Sequence, residues 1–214
     1  MLPLCGRSVG MYLLDVSGHG VPAALLSVTL SRVLTTSDAG STILMARDQN
    51  AKRPTIIPPG EVAARLNRRF PMSGQRNQYF TMVYAVLDTQ TRMLRHAIAG
   101  HPAPLLVKRG RSPQPLTGGG FPIGMIEDAE FDDESIQLEP GDRLYFYSDG
   151  ITEAVNSQGV MLQAEGLIRL IEDNQAGSLN DALASCVEEF KRWCDSVPFT
   201  DDISLLALEI PAAV

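Results

Sequence analysis

Three short apolar runs, Tyr79–Asp88, Met93–Ile98 and Pro104–Lys108, follow one another with only turn-forming residues between them. No helical segment intervenes, so they read as an antiparallel meander and not as a βαβ unit. Two further strands, Glu134–Leu138 and Arg143–Ser148, are joined by Glu139-Pro140-Gly141-Asp142, where Pro and Gly stand as turn geometry prefers. Ile203–Ile210 closes the chain as a nearly continuous apolar strand, a pattern expected at the centre of a sheet. Strands outnumber helices and mostly succeed each other directly. The expected class is α+β, with antiparallel sheets flanked by helices in preference to a doubly wound fold.

Around that framework, Val9–Leu14 reads as a buried strand that delivers Asp15 to a glycine-rich turn. Pro22 suits the first turn of a helix whose apolar stripe is Leu26, Leu30, Val33 and Leu34. Residues 40–60, with Pro54, Pro58 and Pro59 near the end, read as a loop, and Glu61–Phe70 as a second short helix with Val62, Leu66 and Phe70 facing the core. Two more helices precede the last strand. The second of them starts at Ser178 as N-cap, with Asp181 three residues on, and buries Leu179, Leu183, Cys186, Val187, Phe190 and Cys194. Trp193 on the same helix is expected as a core or half-buried anchor and not as a binding platform.

With 214 residues, 44% of them hydrophobic, the chain can bury one substantial core, so a single domain spanning 1–214 is expected. The net charge of −7 disfavours nucleic acid as a partner, because that binding needs a basic face to release counterions. Basic residues gather between Lys52 and Arg111 and acidic ones between Glu127 and Glu153, which reads as two solvated faces. Cys5, Cys186 and Cys194 form neither a CxxC pair nor an even disulfide framework, which suits a reducing cytoplasm. No apolar run is long enough to span a bilayer and no signal peptide opens the chain, so a soluble cytoplasmic protein is expected.

Asp15, Asp149 and the pair Asp201-Asp202 each adjoin a hydrophobic strand at a sharp turn. Three strands could therefore bring acids to one place. Apposed carboxylates repel and lose solvation unless a cation joins them, and Mg²⁺ or Mn²⁺ takes all-oxygen ligands. The alternative is that acids at strand ends are ordinary turn formers.

The local motifs decide between the two. Asp15-Val16-Ser17-Gly18-His19-Gly20-Val21-Pro22-Ala23-Ala24 resembles the signature of SpoIIE/RsbU-type serine/threonine phosphatases, within the wider type 2C (PPM) phosphatases. The resemblance continues in family order through Pro59-Gly60-Glu61-Val62, Leu66-Asn67-Arg68, Phe80-Thr81-Met82-Val83-Tyr84 and Ala99-Gly100-His101-Pro102-Ala103-Pro104-Leu105. Phe121-Pro122-Ile123-Gly124, Leu138-Glu139-Pro140-Gly141-Asp142, Tyr147-Ser148-Asp149-Gly150-Ile151-Thr152-Glu153-Ala154 and Thr200-Asp201-Asp202-Ile203-Ser204 complete it.

The resemblance implies an antiparallel β-sandwich flanked by helices on both faces, in α-β-β-α layers, with a binuclear Mn²⁺ or Mg²⁺ site at one end. By motif match Asp15 would be the acid shared by both metals, the Val16 backbone carbonyl a further ligand, and Asp149 and Asp201 the remaining ligands of the first metal. The implied activity is hydrolysis of phosphoserine or phosphothreonine by metal-activated water. The implied substrate is a STAS-fold anti-sigma-factor antagonist in sigma-factor regulation, with a sensor or receiver domain upstream. Family members also carry a Gly-Asp pair on the strand before the Asp15 strand, and no acid precedes Asp15 here. The expectation is a domain lacking its first strand region, with an impaired second metal site. The competing function is a catalytically silent module that binds such a partner without dephosphorylating it.

Other residues have structural readings. Asp15, Ser17 and His19 lie too close in one turn to form a nucleophile–base–orienter line, and no Gly-x-Ser-x-Gly elbow surrounds Ser17. His19 either lines the phosphate site or caps its loop. His101, in a Gly-His-Pro turn, and Asn67, on a helix, are read as structural. Asp202 would point away from the site if the strand has begun by then.

Overall fold

The computed structural model describes residues 1–35, 43–46, 54–74 and 77–211. In chain order the elements are β1 (Leu2–Pro3), β2 (Ser8–Val16), α1 (Val21–Val33), β3 (Met45–Ala46), β4 (Thr55–Ile56), α2 (Pro59–Arg69), β5 (Phe80–Asp88) and β6 (Met93–Ala99). There follow β7 (Leu105–Val107), β8 (Gln114–Pro115), β9 (Glu134–Gln137), β10 (Arg143–Tyr147), α3 (Asp149–Thr152), α4 (Gln163–Asp173), α5 (Leu179–Cys194) and β11 (Leu205–Glu209). The chain divides into two compact units, one of residues 1–101 and 117–137, the other of 102–116 and 138–211 among those described. All named strand pairs are antiparallel, so the expected α+β class holds.

The first unit is built on a five-stranded sheet in the order β1-β2-β5-β6-β9. Its spine is β2 against β5, paired over nine residues from Ser8↔Asp88 to Val16↔Phe80. Phe80, Met82, Tyr84 and Val86 alternate onto one face of β5, where they join Leu26, Leu30 and Leu34 of the α1 region and Val62, Ala63 and Leu66 of α2 in one core. Pro22 sits in the first turn of α1 and Pro59 in that of α2, where a missing N–H costs nothing. Asn67 is buried and fully used: its Nδ2 donates to Ile126 O (2.9 Å) and Glu127 O (2.8 Å), and its Oδ1 accepts from Gly124 N (2.7 Å). Gly124 has φ 90°, and a Cβ there would lie 2.4 Å from Phe70 O, so only glycine allows this approach.

The second unit holds a four-stranded sheet in the order β11-β10-β7-β8. Tyr145 and Tyr147 of β10 pack with Leu167, Leu170 and Ile171 of α4 and Cys186, Phe190 and Cys194 of α5. Ser178 caps α5 as expected, its Oγ accepting from Asp181 N at 3.2 Å, and Trp193 is partly buried against this core. The inward face of α5 also includes Ala182, while Leu179, Leu183 and Val187 are half-buried.

Four sequence expectations need correction. The meander stops after two strands: β5 and β6 pair, but β7 leaves through Gly100-His101-Pro102 to pair with β10 in the other sheet. Glu139–Asp142 does not join a hairpin; β9 pairs with β6 and β10 with β7 and β11, so the turn carries the chain from one sheet to the other. The last strand lies at an edge and not at a centre, with Leu206 38% exposed. Its apolar run reflected a half-exposed strand that keeps leucine on its outer face. Finally, within the stretch expected as loop, Met45–Ala46 and Thr55–Ile56 pair and α2 already begins at Pro59; residues 40–42 and 47–53 lie outside the described residues.

Candidate active site

In the first unit β2 ends on Asp15 and Val16. Val16 is buried in the core, so strand alternation sends the half-buried Asp15 to the opposite face. Asp15 stands across from Thr81 in register, and Thr81 Oγ1 is hydrogen-bonded to the buried His101 Nδ1 at 2.9 Å. The Gly-His-Pro turn is thus tied to the strand position facing Asp15. Ser17 is engaged by the backbone, its N donating to Tyr79 O and its Oγ accepting from Tyr79 N, each at 2.9 Å. Gly18 and Gly20 have φ 85° and 80° and turn the chain into α1, leaving His19 exposed.

In the second unit Asp149 opens α3 directly after β10, and Asp201-Asp202 lies before β11, the neighbour of β10. Ser148 fastens the two turns. Its N donates to Ser204 O (3.0 Å), its Oγ donates to Asp202 O (2.9 Å), and the same Oγ accepts from Ser204 N (2.9 Å). The approach is close enough that a Cβ on Gly150 would meet Asp202 O at 2.5 Å and Asp201 Cβ at 3.4 Å. The turns that carry Asp149 and Asp201, 52 residues apart in sequence (201 minus 149), therefore lie side by side. Asp201 Oδ1 accepts from Asp202 N at 2.7 Å, which fixes that carboxylate by its own backbone. Asp202 precedes the strand, which begins at Leu205, so its position follows from the Ser148 bond and not from strand alternation.

The donors here are carboxylate oxygens, and among the described residues neither Asp149 nor Asp201 has a Lys, Arg or His ion-pair partner. Such a set suits a hard divalent ion better than a soft one. Among the described residues no cluster of three or more His, Cys, Asp or Glu side chains is gathered for a metal, so the expected meeting of Asp15, Asp149 and Asp201 does not stand out as such a cluster. Sequence reasoning missed Ser148, Ser204 and Thr81. A hydroxyl just before Asp149 and another just after Asp202 were the available signal for the first two; Thr81 is hidden in an apolar run.

Two antiparallel sheets backed by helices, with acids at strand ends, define a domain of the type 2C phosphatase fold. The SiaA-PP2C domain of Pseudomonas aeruginosa superposes with a TM-score of 0.73 at 18% identity, covering 95% of this chain and 80% of that one. The chain belongs to the SpoIIE family: the family described as Stage II sporulation protein E (SpoIIE) matches residues 6–211. Phosphoserine phosphatase RsbU of Bacillus subtilis (strain 168) is 27% identical over 203 residues, 94% of this chain and 56% of that protein. This chain thus spans little more than half the length of that relative. The structure of the RsbU and RsbW domains of Rv1364c from Mycobacterium tuberculosis matches with a TM-score of 0.73 at 26% identity, covering 98% of this chain and 55% of that one. RsbX, solved in complex with magnesium, shares the fold with a TM-score of 0.62 at 12% identity, covering 96% and 83%.

Proposed function

We propose that this chain is a metal-dependent protein serine/threonine phosphatase domain acting on a phosphorylated regulatory protein. The observation that carries the reading is the Ser148 fastening, which holds Asp149 beside Asp201 with no cationic partner among the described residues. Family membership and the name of the relative RsbU support the same chemistry. By motif match the ligand set is Asp15, the Val16 carbonyl, Asp149 and Asp201, and the ion is Mn²⁺ or Mg²⁺.

When bound, such an ion would supply a water acidic enough to ionise near neutral pH and positive charge beside the phosphate oxygens. The chain's own part is to orient. Ser148 sets the spacing of Asp149 and Asp201, and Asp202 N fixes the rotation of the Asp201 carboxylate. Attack by a metal-activated water would require no phosphoenzyme, and Ser17 Oγ, accepting from Tyr79 N, is given no covalent role.

The proposed substrate is a phosphoserine- or phosphothreonine-bearing STAS-fold antagonist in a sigma-factor pathway, with a sensor or receiver domain in the same protein and a cytoplasmic location. The pairing of RsbU and RsbW domains in Rv1364c favours a regulatory protein as target. The test is phosphate release from a phosphorylated STAS protein with millimolar Mn²⁺ and with chelator. Release that needs the metal supports the reading, and release unaffected by chelator refutes it.

A further inference from the structure

Phe199 stands two residues before Asp201, on the segment that joins α5 to β11. That segment has little regular structure of its own. It leaves α5 through two successive left-handed residues, Asp195 (φ 50°) and Ser196 (φ 66°), and Val197 N donates back to Cys194 O at 3.1 Å. Between there and the Ser148 bond at Asp202, a ring contact anchors the segment. Phe199 stacks on Phe190 of α5, centroids 5.7 Å apart and planes 11° from parallel. Phe190 belongs to the buried core of the second unit, whereas Phe199 keeps 51% of its surface exposed. Its inner face rests on a fixed ring, and a parallel aromatic contact restricts orientation more than an aliphatic one does.

Asp201 is thus held from both sides, by Phe199 on Phe190 before it and by Asp202 on Ser148 after it. We propose that Phe199 is a positioning residue for Asp201: its stack on Phe190 sets where the Asp201 carboxylate stands relative to Asp149, and so sets affinity for the divalent ion. This rests on the reading of Asp149 and Asp201 as ligands of one ion.

The test is Mn²⁺ binding by isothermal titration, together with the melting temperature of the metal-free protein. It uses the unsubstituted chain, Asp201→Asn, Phe199→Ala, Phe199→Leu and Phe199→Tyr. Removing an aromatic pair's ordering should weaken Mn²⁺ binding roughly five- to tenfold in Phe199→Ala. Phe199→Leu, which keeps apolar cover over Phe190 without a flat ring, should weaken it as well, and Phe199→Tyr should restore it. A lowered metal-free melting temperature with unchanged affinity in both the Ala and Leu variants would show a merely structural residue and overturn the proposal. Failure of the underlying reading looks different: either the unsubstituted chain takes up no Mn²⁺, or Asp201→Asn binds it equally well.

Discussion

Ser148 uses both capacities of its hydroxyl, donating to Asp202 O and accepting from Ser204 N, and alanine could do neither. Ser148→Ala should therefore lower stability by about 1–3 kcal/mol, the cost of leaving partly buried backbone groups unpaired. It should also reduce the rise in melting temperature on adding Mn²⁺, because Asp149 and Asp201 lose their common tether. Denaturant melts with and without Mn²⁺ read both effects. Cys186 gives a different residue-scale outcome. Burial first, and then the negative charge of Glu189, push its thiol up to about 11, and its Sγ–H points to Leu170 O. A thiol raised on folding contributes stability that is fully present below its unfolded pKa, near 9. Above that, the unfolded chain releases the proton while the folded one keeps it, so this contribution falls away between about pH 9 and 11. Stability measured across that window should decline less steeply in Cys186→Ala than in the unsubstituted chain.

Among the elements, α2 shows how a helix can hold a loop. Its apolar face was legible from Val62, Leu66 and Phe70, and a structural role for Asn67, packing or a buried hydrogen bond, followed from its place on that helix. What the sequence did not reveal was the partner, because residues 124–127 form no regular element whose pattern could announce them. Asn67→Ala should cost about 2–4 kcal/mol, since one buried and two part-buried hydrogen bonds are lost together, and thermal unfolding measures it. The same contrast governs the strands. Their existence was legible in period-two alternation, as in Phe80, Met82, Tyr84 and Val86, but alternation carries no information about which strand pairs with which. Hence β7 was assigned to the wrong neighbours, and the Pro-Gly turn at 139–142, chemically apt for a hairpin, proved to be a crossing between sheets. The acids at strand ends were legible as a pattern. The Ser148 fastening that brings two of them together was not, because it depends on β10 and β11 being neighbours.

At the scale of the whole molecule the chain crosses between its two sheets three times, near residues 101, 116 and 137, so neither compact unit is one continuous stretch. Asp15 lies in the first unit, and Asp149 and Asp201 lie in the second. The proposed chemistry also makes the metal indispensable, since no serine, cysteine or histidine nucleophile is assigned to do its work. The most direct measurement is turnover of a phosphoserine STAS protein in millimolar Mn²⁺ by the unsubstituted protein and by Asp149→Asn. Removing a ligand from the clamp withdraws several kcal/mol of transition-state stabilisation, so the variant should be slower by at least ~100-fold. Equal rates in the two proteins would contradict the account.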